Sequence, residues 1–134
     1  MADVDVNEPA ADLDVSQWPL LVITIPEGKV SDACVNDVLV RYNQLIREKK
    51  ERYALVVDVS KSEKLNSKQR KIMSEQMNSN REFTGKYCAG TALVFDSVLI
   101  AGMLTAVFWV FKPKYETKVF TKTHESIAWA KSQL

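Results

Sequence analysis

The chain has one histidine, two cysteines, four glycines and four prolines in 134 residues, and each scarcity excludes something. A zinc site usually needs four ligands with paired spacing, which Cys34, Cys88 and His124 cannot supply. So few glycines leave no G-x-G-x-x-G or Walker loop after any expected strand, and hence no glycine-rich phosphate cradle. No G-x-S-x-G elbow is present either. His124 has no nucleophile motif to serve as base, so it reads as a residue in the first turn of a helix. The first residues lack the basic, apolar and small-residue succession of a secretory signal. The two cysteines are therefore expected to be reduced core residues of a cytoplasmic protein.

Charge is nearly balanced at +1 but unevenly spread. Residues 1–17 carry Asp3, Asp5, Glu8, Asp12 and Asp14 and no base, a charge of −5 that leaves +6 for the rest. Residues 1–15 are expected to form an acidic, solvated arm, and residues 16–134 a single domain long enough to bury a core. The other reading of the arm is docking, on the chain's own basic surface or on a partner. Bases gather at Lys61, Lys64, Lys68, Arg70 and Lys71 against Glu63, a local charge of +4. This stretch is either a solvated loop and helix face or a site for an anion or an acidic partner. It lacks interleaved aromatics, so nucleic acid is not expected as a partner.

Hydrophobic periodicity predicts alternating strands and helices. Residues 18–25 form an apolar, β-rich run ended by Pro26-Glu-Gly28, and residues 12–17 add a short strand before it. Ser31 or Asp32 caps a helix to about residue 51, with Val35, Val38, Leu39, Tyr42, Leu45 and Ile46 on one face. Residues 53–59 and 88–95 are apolar throughout, as strands buried on both faces are. Between them, Asn66 and Gln69 have the spacing of a capping box. The helix they open should run over residues 67–82 and end at Gly85. Residues 117–121 read as an edge strand. Thr123 caps a last helix that places Ile127, Ala130 and Leu134 on one side. This order gives an α/β fold, a mostly parallel sheet of four to five strands with covering helices. Sites in such sheets lie beyond the carboxyl ends of the strands.

One segment is unusual: residues 97–111 carry no charge. On a helical wheel Leu99, Ile100, Met103, Leu104, Val107, Val110 and Phe111 face the core. Val98, Phe108 and Trp109 then surround the small residues Ala101, Gly102 and Thr105 on the opposite face. Left bare, that face would be a patch monomers seldom tolerate; it suits a homodimer or a partner helix, unless the chain covers it itself. Extended back to residue 88 the run approaches the length of a membrane span. Asp96 near its middle would cost about 2.5–3.5 kcal/mol there. It serves better as a helix cap, and no membrane span is expected. Asp58 and Asp96 both end central strands and could approach as an acid–base pair; loop and helix capping is the stronger reading of both.

The stretch Tyr53-Ala-Leu-Val-Val-Asp58-Val-Ser60, followed by Leu65-Asn66-Ser67-Lys68-Gln69, resembles the signature of the STAS superfamily, and of its SpoIIAA-like group in particular. Those proteins carry Asp-x-Ser at a strand end, then Asp-Ser-Ser-Gly at a helix start. Without gaps, Asn66 takes the Asp position, Ser67 the first Ser, Lys68 the phosphoacceptor position and Gln69 the Gly. Lys68 thus stands where the family's phospho-switch needs a hydroxyl, and Ser67 could replace it only with a register slip of one. The resemblance implies a small bacterial protein that works by docking and does no chemistry. The function expected is a non-enzymatic regulatory or scaffolding module without a cofactor. Its partner-binding residues would be Asp58, Ser60, Asn66, Ser67, Lys68, Val98, Phe108 and Trp109. The alternatives are a carrier of a small apolar ligand or lipid and, more remotely, an enzyme using Asp58 and Asp96.

Overall fold

The computed structural model describes residues 10–97 and 116–134. Residues 1–9 of the acidic arm lie outside the described residues, as do Val98, Phe108 and Trp109 with the rest of the apolar run to residue 111. The described elements are β1 (Asp12–Gln17), β2 (Leu20–Thr24), α1 (Asp32–Lys49), β3 (Tyr53–Asp58), α2 (Ser67–Ser79), α3 (Arg81–Tyr87), β4 (Cys88–Val94), β5 (Glu116–Phe120) and α4 (Thr123–Gln133). Five strands form one sheet in the order β1-β2-β3-β4-β5, with β1 antiparallel and the other four parallel. This is the mostly parallel α/β architecture that the alternation predicts.

Side chains alternate across the strands, so each face has its own core. Leu21, Ile23, Tyr53 and Leu55 pack against Val38 and Ile46, with Leu39, Tyr42 and Leu45 at the margin, which gives α1 the apolar stripe read from its sequence. On the other face Leu20, Ala54, Val56, Ala92 and Val94 pack against Ala130, Ile127 and Trp129 of α4. Right-handed crossovers that always step the same way along a sheet leave their helices on one face. That accounts for α1 and α3 sharing a cluster while α4, after the last strand, lies opposite. Both cysteines are buried, and no disulfide joins them.

Four boundaries differ from the sequence-derived ones. Trp18 and Pro19 form the turn between β1 and β2, with the Trp18 amide donating to the Val15 carbonyl at 3.0 Å, rather than the start of a strand. The helix expected over residues 67–82 breaks at Asn80 (φ −100°, ψ 4°). The buried Asn80 side chain accepts from Arg47 Nη2 at 2.6 Å and donates to Asn43 Oδ1, so tertiary partners hold the break. Gly85 ends nothing: α3 runs through it to Tyr87 and passes directly into β4, while Gly28 takes the left-handed conformation at φ +87°. Finally, Lys122 is the N-cap of α4 and provides no side-chain cap. Thr123 is the first helical residue, and its hydroxyl is used elsewhere. Leu134, read on the same side of that helix as Ile127 and Ala130, is exposed. Among the described residues no helix is long and apolar enough to cross a membrane.

Candidate functional site

The row Asp12–Thr24–Asp58–Val94–Phe120 marks one level across the sheet at the carboxyl ends of its parallel strands. Pairing extends one residue beyond that row. Ile25 N donates to Asp58 O at 2.9 Å, Val59 N to Val94 O at 3.0 Å and Phe95 N to Phe120 O at 2.9 Å. The loops therefore leave the sheet from a fixed platform.

Asp58 forms the first of two polar knots there. Its Oδ1 accepts from Ser60 N at 2.9 Å and from Ser60 Oγ at 2.6 Å, an Asx-type turn that starts the loop after β3. Its Oδ2 accepts from Thr123 Oγ1 at 3.0 Å, which ties the end of β3 to the start of α4. Both carboxylate oxygens are thus occupied by neighbouring donors. Asp96, at the end of β4, is exposed.

The second knot joins the starts of α1 and α2. Asn66 and Gln69 form a reciprocal capping box: Asn66 Oδ1 accepts from Gln69 N at 2.8 Å, and Gln69 Oε1 from Asn66 N at 3.1 Å. Gln69 is only 4% exposed, and its Nε2 donates to Val30 O at 2.7 Å and Asp32 Oδ1 at 3.0 Å. Lys68 Nζ lies 3.0 Å from Asp32 Oδ2. The Lys68 ammonium, and after it the Gln69 amide, holds the Asp32 carboxyl below its usual pKa. A loop bridge lies beside the knots: Gly28 N donates to Lys61 O at 3.1 Å and Glu63 N to Gly28 O at 2.8 Å, which brings Lys29 next to the basic stretch.

The five described residues assigned to partner binding therefore do not converge on one point. Asp58 and Ser60 are half-buried and belong to the first knot. Asn66 and Lys68 belong to the second, and exposed Ser67 accepts from Arg70 Nη2 at 3.1 Å. Sequence reasoning missed Thr123 as the partner of Asp58, and Asp32 as the partner of both Lys68 and Gln69. Sequence separations of 65 and 37 residues hide those pairs from any local pattern. His124 is exposed in the first turn of α4, as its position after Thr123 suggests. Among the described residues no three His, Cys, Asp or Glu side chains gather where they could hold a metal ion. Chemically, the two knots brace loops, and exposed lysines, Lys61, Lys64 and Lys71, stand around them.

No family model matches the chain, and no curated protein matches it. Among solved structures it is similar to an uncharacterised DUF3478-family protein with a SpoIIAA-like fold from Shewanella loihica PV-4. The TM-score is 0.64 at 16% identity, with 90% of this chain and 92% of that chain covered. At that identity the likeness speaks to architecture, and it is the architecture the Asp58–Gln69 stretch implies: the chain has a SpoIIAA-like fold.

Proposed function

We propose that this protein is a non-enzymatic, cytoplasmic bacterial regulatory or scaffolding module that acts by docking protein partners, a second copy of itself among them. The observation that carries the reading is the engagement of Asp58. Both of its oxygens serve Ser60 and Thr123, so the carboxylate best placed for chemistry acts as a brace. The SpoIIAA-like fold supports the same reading. A braced loop suits docking because its backbone is ordered before a partner arrives, which lowers the entropic cost of association.

Two surfaces are proposed. One is the Asp58–Arg70 junction, including Ser60, Asn66, Ser67 and Lys68. The other is the face of residues 97–111 that bears Val98, Phe108 and Trp109. Affinity capture from cells should recover a protein with the wild-type chain and lose it with Lys61→Glu/Lys64→Glu, at an unchanged melting temperature. Light scattering on Trp109→Glu should report a folded monomer where the wild type self-associates. A small molecule retained by the wild type in native mass spectrometry, with no protein captured, would overturn the proposal in favour of a carrier.

A further inference from the structure

The start of β1 and the basic loop lie far apart in sequence, yet the sheet brings them to the same end of the molecule. Antiparallel β1 places Asp12 opposite Thr24, and Thr24 pairs with Asp58, so the chain enters the sheet at the level where it leaves β3 for Lys61. Arg41 Nη2 fixes the entry point by donating to Ala11 O at 2.8 Å. Two strand spacings, about 10 Å, separate β1 from β3. Nine residues precede Ala10, and an extended chain of that length reaches about 30 Å.

Charge on the two sides is complementary. Asp3, Asp5 and Glu8 give the segment −3 with no base. Across from it, Lys61, Lys64 and Lys71 are exposed, and the ion pairs among the described residues, Arg41–Asp37 and Lys68–Asp32, use none of them. Exposed acids beside these lysines are Glu27, Glu63 and Glu75, the last one turn along α2 from Lys71, three against the four charges of Lys29, Lys61, Lys64 and Lys71. Tethering supplies the rest, because an attached segment meets the surface at an effective concentration in the mM range.

We propose that this lysine surface is occupied, within the same chain, by the acidic segment around Asp3, Asp5 and Glu8. The segment then competes with any acidic protein for the α2 junction; that consequence rests on the docking function proposed above. Because Cys34 and Cys88 are buried, a nitroxide introduced through Ala2→Cys labels one site on the full chain. The amide signals of Lys61, Lys64 and Lys71 should lose intensity selectively. They should recover in about 1 M NaCl, where the screening length is about 3 Å. The same recovery is expected in Asp3→Asn/Asp5→Asn/Glu8→Gln. Full intensity at all three lysines, or broadening that survives the triple substitution, would overturn the proposal. The experiment contains no partner, so its outcome is separate from that of the capture experiment.

Discussion

Against α1 the sheet presents Leu21, Ile23, Tyr53 and Leu55; against α4 it presents Leu20 and the smaller Ala54, Val56, Ala92 and Val94. On the first face large side chains fill the space, and aromatics add to it: Trp18 stacks on Tyr53 with ring centroids 6.0 Å apart, and Tyr42 meets Tyr53 edge-on. On the second face small residues let the helix sit close. Ala130 and Ser126 are fully buried there, and a Cβ on Gly90 would come within 3.0 Å of Gln133 Cγ and 3.3 Å of Trp129 Cη2. One face should therefore be sensitive to lost volume and the other to added volume.

The largest effect tests the α1 face. Ile46→Ala should cost about 2–5 kcal/mol in chemical denaturation, since Ile46 is buried in the middle of that cluster. A cost below about 1 kcal/mol would mean the site collapses to fill the cavity, and the contrast between faces would fail. Next in size, Ala130→Leu should cost about 1–3 kcal/mol by forcing α4 off the sheet. A neutral or stabilised variant would show that the α4 face has room to spare.

Sequence alone made much of this fold legible, and the reason differs by element. The stripe of α1 follows from Val35, Val38, Leu39, Tyr42, Leu45 and Ile46, because helical periodicity is a property of one segment. The Asn66–Gln69 capping box is equally local. The break at Asn80 was not legible, because Asn43 and Arg47 on another helix hold it. Thr123 was misread as a cap for the same reason: its hydroxyl serves Asp58, from another element of the fold.

Smaller effects sharpen the comparison at the loop end. Gln69→Ala removes both a capping partner and a buried donor to Val30, and should cost about 1–2 kcal/mol. If Gln69→Ala proves neutral in denaturation, the bond between α1 and α2 is dispensable. The smallest effect concerns pH. The Lys68 ammonium and the Gln69 amide depress the Asp32 carboxyl in the folded state. Their stabilisation is therefore present above the ordinary carboxylate range and is lost as pH falls through the folded value. The stability difference between wild type and Asp32→Asn should shrink on acidification below that range; a difference constant with pH would rule out this contribution.

The buried thiol and phenol belong to the α1 face as well. Burial pushes the Cys88 thiol and the Tyr53 hydroxyl above their usual values, and Tyr53 shares a 2.5 Å hydrogen bond with Tyr42. Both groups are part of the packing.

What the sequence by itself determined is what short-range chemistry determines: the scarcity of glycine, cysteine and histidine, the alternation of strands and helices, the buried stripe of α1 and the cap of α2. These depend on residues within a few positions of one another. Tertiary structure alone decided which strand ends face the same way, and therefore that Asp58 braces α4, that Gln69 ties α2 to α1, and that Asp12 at the start of β1 shares an end of the sheet with the loop that carries Lys61. Those relations join residues 30 or more positions apart, and only a folded sheet, with its register and its crossovers, brings such residues together.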